Sequence, residues 1–151
     1  MNDLDITRTF DAPRDLVFDV WTDPAHLAQW WGPHHFTNPR CEFDARPGGA
    51  IHIDMRAPDG TVYPMKGVVK EIVRPERLVF TSIPVDEKGN VLFETLITVT
   101  FSERNAKTTV SVNAHVVRTV APEAAQMLAG MEAGWTQSLE RLQEYVSHVR
   151  K

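Results

Sequence analysis

Cysteine is almost absent from this chain of 151 residues: Cys41 stands alone, so no disulfide can form within it. That excludes a small disulfide-stapled scaffold and points to a reducing compartment, the cytoplasm. Long apolar runs are missing too. No stretch approaches the roughly 20 residues that a spanning helix needs, so no membrane association is expected. The opening MNDLDITRTF carries acids and passes directly into a strand-like pattern, unlike a signal peptide. Positive charge is also in short supply, with 16 Lys and Arg against 20 Asp and Glu and a net charge of −4, so a nucleic-acid partner is not expected. Chemistry-bearing motifs are equally scarce. There is no G-x-S-x-G elbow, phosphate-cradling loop or dinucleotide fingerprint. His34 and His35 are adjacent and lack a second ligand pair, so no metal site is read, and no cofactor is expected.

What the chain does have is tryptophan in one place. Three of its four tryptophans fall in WTDPAHLAQWWGP, Trp21 to Pro33. A cluster of such large amphipathic rings calls for a packing or binding reason. Asp11-Ala12-Pro13 and Asp23-Pro24 both read as helix starts, with aspartate as cap and proline in the first turn. Gly32-Pro33 reads as a stop. Two short helices in tandem are therefore expected after a first strand around Leu4, Ile6 and Phe10.

From Phe36 to His115 the punctuation becomes that of an antiparallel meander. Turn signals fall at Arg46–Gly49, Pro58–Gly60, Arg74–Glu76, Glu87–Asn90 and Arg104-Asn105, with period-2 runs between them. Ile51, Ile53 and Met55 alternate with His52, Asp54 and Arg56. Ile97, Val99 and Phe101, and then Val110, Val112, Ala114 and Val116, behave likewise. One face of the sheet is apolar, so one side must be covered. The cover is the C-terminal segment, where Leu128, Met131, Trp135, Leu139, Leu142, Val146 and Val149 form a stripe at helical spacing. A single helix from about Pro122 to His148 would run roughly 40 Å at 1.5 Å per residue. Gly130 and Gly134 each cost about 1 kcal/mol against alanine inside it. Two readings suit them: close approach to a strand, or room and a bend where a ligand enters.

The run Trp21–Pro33, RPGG at Arg46–Gly49, PDG at Pro58–Gly60, PERLVFT at Pro75–Thr81, VTF at Val99–Phe101 and EAGW at Glu132–Trp135 resemble, in order and spacing, one bacterial family. It is the family similar to the C-terminal domain of the ATPase activator of the ninety-kilodalton heat-shock chaperone, within the START-like, birch-pollen-allergen-like superfamily. The resemblance implies an α+β helix-grip fold: one START-like domain over 1–151, in which about seven antiparallel strands (β-αα-β6-α) wrap a long C-terminal helix around a cavity. Members of this family resemble T-x-L-T-L-x-H on the last strand, with an inward histidine. Here the histidine is displaced to His115, which alternation turns outward while Ala114 turns inward.

The expected function is sequestration or delivery of a small hydrophobic or amphipathic molecule between sheet and helix, without covalent chemistry. Two other readings remain: a co-chaperone or protein-interaction module, and a cyclase or hydratase using pocket histidines and carboxylates. Glu71 and Glu94 lie in strands whose register the sequence leaves open. The candidate lining residues are Trp30, Trp31, His34, His35 and Phe36 from the Trp-rich segment and the loop after it. The strands contribute Ile53, Met55, Tyr63, Met65, Phe80, Ile97, Val99, Val112 and Ala114, and the helix Met127, Met131 and Trp135. His34, His35 and Tyr63 are first choices for orienting hydrogen bonds. Cys41, in a strand, reads as a small buried hydrophobe. A monomer or weak homodimer is expected, with chaperone contact a further partner.

Overall fold

The computed structural model describes residues 3–122 and 124–149. Seven strands form one antiparallel sheet in the order β1-β7-β6-β5-β4-β3-β2. They are β1 Leu4–Phe10, β2 Thr37–Phe43, β3 Ala50–Arg56, β4 Val62–Val73, β5 Arg77–Pro84, β6 Phe93–Arg104 and β7 Lys107–Thr119. Helices α1 Arg14–Thr22 and α2 Pro24–Leu27 separate β1 from β2, and α3 Ala124–Ala129 and α4 Met131–Val149 follow β7. The meander from β2 to β7 is joined at the five turn signals in the sequence. β1 closes the order by pairing with β7, with Ile6 opposite Val112.

Register explains why one face is buried. Ile97 faces Ala114, Val99 faces Val112 and Phe101 faces Val110 across β6 and β7, and all six are at most 2% exposed. The other face carries a polar ladder, with Thr7 against Ser111 and Thr9 against Thr109, each pair 3.1 Å apart. His115 points outward as expected, its Nδ1 2.6 Å from Asp3 Oδ1, while Ala114 is fully buried. Shifts in register at Val69/Glu71 and Glu94/Thr95 mark bulges, which bend a strand and increase its twist. The sheet is accordingly curved around its helical cover.

Two local expectations need correction. In the first helix the cap position falls to Pro13, two residues after Asp11, and Pro13 has no side-chain bond to offer. The Arg14 N–H donates instead to Glu103 Oε1 of β6, at 2.6 Å. Asp23 does cap α2, accepting from the Ala25 N–H at 2.9 Å. The C-terminal cover is two helices rather than one, interrupted at Gly130. Hydrogen bonding nevertheless runs through the break, from Gly130 N–H to Gln126 O and from Gly134 N–H to Gly130 O. A glycine here relaxes the helix locally without ending it.

All four tryptophans meet in one closed cluster beneath this cover. Trp21 packs edge-on to Trp30 at 4.7 Å, Trp30 lies 5.9 Å from Trp31, Trp31 meets Trp135 edge-on at 5.4 Å, and Trp135 stacks back on Trp21 at 6.2 Å. Such pairs add about 0.5–1.5 kcal/mol each beyond their burial. The cluster therefore fixes α1, the α2 turn and α4 to one another.

Candidate functional site

The hollow in this domain follows from where the helical stripe changes size. In the C-terminal half of α4, Leu139, Leu142 and Val146 are at most 3% exposed and fill the space over the sheet. In the N-terminal half and in α3, the same face presents Met127, Gly130, Met131, Gly134, Trp135 and Ser138, a spacing of three and four. A Cβ built on Gly134 meets nothing within 4 Å, and one on Gly130 meets only carbonyl oxygens of the preceding α3, Gln126 O and Met127 O, each at 3.8 Å. Close approach to a strand is thus not what these glycines serve. They open onto a cavity of about 200 Å³.

The sheet wall of the cavity comes from the ends of β3 to β6: Met55, Tyr63, Pro64, Met65, Ser82, Pro84, Phe93 and Thr95. Trp31, Gly32 and Pro33 form the third side. Gly32 has φ +96°, a conformation that side-chain-bearing residues rarely adopt, and a Cβ there would press on Met55 Sδ at 3.0 Å. Tyr63, 40% exposed, stands at the rim with its ring 6.2 Å from that of Phe36. The wall is thioether, indole and ring carbon, relieved by four hydroxyls: Tyr63, Ser82, Thr95 and Ser138. Among the described residues no carboxylate, imidazole, amine, guanidinium or thiol lines it.

Of the residues singled out from the sequence, the fold brings Trp31, Met55, Tyr63, Met65, Met127, Met131 and Trp135 together around this space. Trp30 does not reach it; it is fully buried and its Nε1–H donates to Val20 O at 3.1 Å. Ile53, Phe80, Ile97, Val99, Val112 and Ala114 are buried in the filled part of the core, because the curved sheet offers the cavity only its β3–β6 ends. Phe36 lies beside the rim. His34 and His35 are exposed on the loop outside. The His34 ring bonds Glu140 Oε1 at 2.8 Å rather than facing inward, and His35 adopts φ +71° in the turn. Glu71 pairs outward with Arg77, and Glu94 with Arg118. The groups on which an acid–base reading depends therefore lie away from the cavity.

One positioning residue carries no motif. Arg141, on α4, donates from Nη1 to Trp31 O, Gly32 O and Pro33 O at 2.9, 3.1 and 3.1 Å, and from Nη2 to Gln29 O at 3.2 Å. These carbonyls lie in the segment that follows α2, and two of them have a second donor, Asn38 Nδ2–H to Trp31 O at 2.9 Å and the Phe36 N–H to Pro33 O at 3.2 Å. Partial burial, which disfavours the charged form, lowers the Arg141 pKa. Gln137 adds a bond from the His34 N–H at 3.1 Å, and Tyr145 Oη lies 2.6 Å from His26 Nδ1. One face of α4 thus clasps the segment from His26 to His34 and holds the Trp31 wall in place.

Cys41 is half-buried against the core, and desolvation pushes its thiol up to about 11. Two units above the ordinary 9.0 leaves about 100-fold less thiolate, partly offset by that thiolate's greater intrinsic nucleophilicity. Alkylation of the folded protein at pH 7.5 is expected to run about tenfold slower than after unfolding in denaturant. Equal rates in the two states would contradict the burial assigned to Cys41.

A seven-stranded antiparallel sheet curved against C-terminal helices, with a hollow between them, defines a helix-grip α+β domain of the START-like kind. No helix among the described residues is long and apolar enough to cross a membrane. Within that class the chain belongs to the family described as Activator of Hsp90 ATPase homolog 1-like protein, which it matches over residues 11–147. Solved relatives agree on the architecture. A protein from Arthrobacter aurescens is 29% identical with a TM-score of 0.82, covering 97% of this chain and 86% of that one. One from Chromobacterium violaceum is 27% identical with a TM-score of 0.79, covering 96% of each chain. The AHSA1 protein of Silicibacter pomeroyi, at 24% identity and a TM-score of 0.82 over 97% of this chain and 98% of that one, shows the fold alone. Among curated proteins none matches. Fold and family together describe a ligand-binding or co-chaperone-like module.

Proposed function

We propose that this domain binds a small apolar or amphipathic molecule in the cavity between its sheet and its C-terminal helices, and sequesters or delivers it without covalent chemistry. The observation that carries this reading is the pair of glycines facing open space. Alanine at Gly134, inside α4, would favour the helix by about 1 kcal/mol, so the hollow is kept at a cost in stability. A volume of about 200 Å³ exceeds the ~150 Å³ of an apolar cavity that holds benzene. It falls short of the ~300–1,000 Å³ usual for drug-sized ligands. The guest is therefore compact, and the site residues are those that line the space. Affinity comes from desolvation, about 25 cal/mol per Å² of apolar surface removed from water.

Trp31 and Trp135 stand in the wall and share one cluster with the other two tryptophans, so occupancy reports through fluorescence. Titration with single-ring aromatic compounds, excited at 295 nm, is expected to give a saturable change in intensity. No response from any compound, with a solid interior in a crystal structure, would remove the proposal. The family description favours a second reading, contact with a heat-shock chaperone of the ninety-kilodalton class. Stoichiometric co-elution with such a chaperone would support it, and separate elution at micromolar concentrations would count against it.

A further inference from the structure

Four hydroxyls line the cavity, and the two most buried of them, Ser138 and Thr95, direct their protons to backbone, while those of the half-buried Ser82 and the exposed Tyr63 at the rim make no hydrogen bond among the described residues. Ser138 is 5% exposed, and its Oγ–H donates to the Gly134 carbonyl of its own helix at 2.9 Å. Thr95 is 2% exposed, and its Oγ1–H donates to the Ser82 carbonyl on the neighbouring strand at 3.4 Å. A hydroxyl has one proton and two lone pairs. The Ser138 proton is held by a bond of ordinary length and that of Thr95 by a longer, weaker one, so each group has lone pairs to offer a guest, Ser138 the more firmly. Ser138 offers them from the helix wall and Thr95 from the sheet wall, where it sits opposite Ser82 in the β5–β6 register. Both residues interrupt otherwise apolar inward series, Phe93-x-Thr95-x-Ile97 on β6 and Met131, Trp135, Ser138, Leu142 on α4. An apolar side chain at each position would fill the space better, as Leu142 and Ile97 do in the packed half.

The wall is also uncharged: no cationic or anionic side chain among the described residues lines the cavity. A carboxylate or ammonium group inside it would be buried without a partner, which is far costlier than burying a hydroxyl that finds an acceptor. From the acceptors and the uncharged wall together, we infer that the cavity takes an uncharged single-ring molecule bearing a hydrogen-bond donor, of the phenol or N–H heterocycle class, with the donor directed at Thr95 or Ser138. The inference rests on the cavity being a ligand site and adds the polarity of the guest.

The test is calorimetric titration of the intact protein with 4-ethylphenol, 4-ethylanisole, ethylbenzene and 4-ethylbenzoate. 4-Ethylphenol is expected to bind about fivefold more tightly than 4-ethylanisole, which has the oxygen without the donor, as one net hydrogen bond provides. 4-Ethylbenzoate is expected not to bind. In Thr95→Val combined with Ser138→Ala the ratio of phenol to anisole affinity falls to about one. Alanine favours a helix and valine a strand, and the wild-type comparison decides the matter even if that variant folds poorly. A wild-type ratio of one or below, tighter binding of the benzoate, or a ratio unchanged in the double variant would overturn the inference while leaving a ring-binding cavity. Absence of binding by all four compounds would overturn the cavity reading itself.

Discussion

Gly134→Leu is expected to raise the melting temperature and, in the same protein, to abolish binding of aromatic probes. Residue 134 has ordinary helical backbone, and a Cβ added there has nothing within 4 Å. Leucine therefore adds close to 1 kcal/mol of helix propensity and places its side chain in the hollow. Roughly 1 kcal/mol corresponds to about 2–4 °C in a domain of this size. A guest that loses half its buried apolar area is weakened about 100-fold, some 2.7 kcal/mol. Gly134→Ala separates the two effects, because it supplies the propensity with little of the volume. Melting by circular dichroism and titration with 4-ethylphenol check both. A destabilised Gly134→Leu protein that binds as the wild type does would mean that the glycine serves close packing after all.

Arg141→Ala is the change expected to cost most in stability. It removes the donor that gathers the carbonyls of Gln29, Trp31, Gly32 and Pro33, of which Trp31 O keeps the Asn38 amide and Pro33 O the Phe36 N–H. Bonds from a charged donor are worth about 1.5–3 kcal/mol each at best, and these share two nitrogens beside solvent. A net loss of about 3 kcal/mol, or roughly 6–12 °C, is the expected outcome. Arg141→Lys recovers less than half, since an ammonium at the end of a flexible stem cannot span four carbonyls in a planar fork. Because Trp31 forms a wall, probe affinity falls in both variants. A melting temperature within 2 °C of wild type in Arg141→Ala would contradict the clasp, on the scale of about 2–4 °C per kcal/mol.

The two variants lie at opposite ends of what the sequence makes legible. Strand count, turn positions and the inward set Ile97, Val99, Val112 and Ala114 follow from period-2 alternation, which leaves little freedom once one face is buried. The outward turn of His115 follows from the same rule. Depth along the strands does not follow from it, because alternation tells which face a residue takes and not how near it lies to the end where the sheet curls away. That is why Phe80 and Ile53 are packed core while Pro84, Phe93 and Thr95 line the hollow. Thr95, Ser82 and Ser138 did leave a signal, a small hydroxyl in each of three apolar series, but weighting by hydrophobicity passes over it. The clasp left none. Arg141 is one Arg on a helix's polar side until α2 is folded beneath it, and His34 looks like a pocket residue until Glu140 draws it outward.

Ordered density from a crystal soaked in 4-ethylphenol examines the cavity directly. The expected result is a ring between Trp31, Met131 and Trp135, with its hydroxyl within hydrogen-bond distance of Thr95 Oγ1 or Ser138 Oγ. A space closed by side chains, or filled by ordered water with no ring density at saturating 4-ethylphenol, would contradict it.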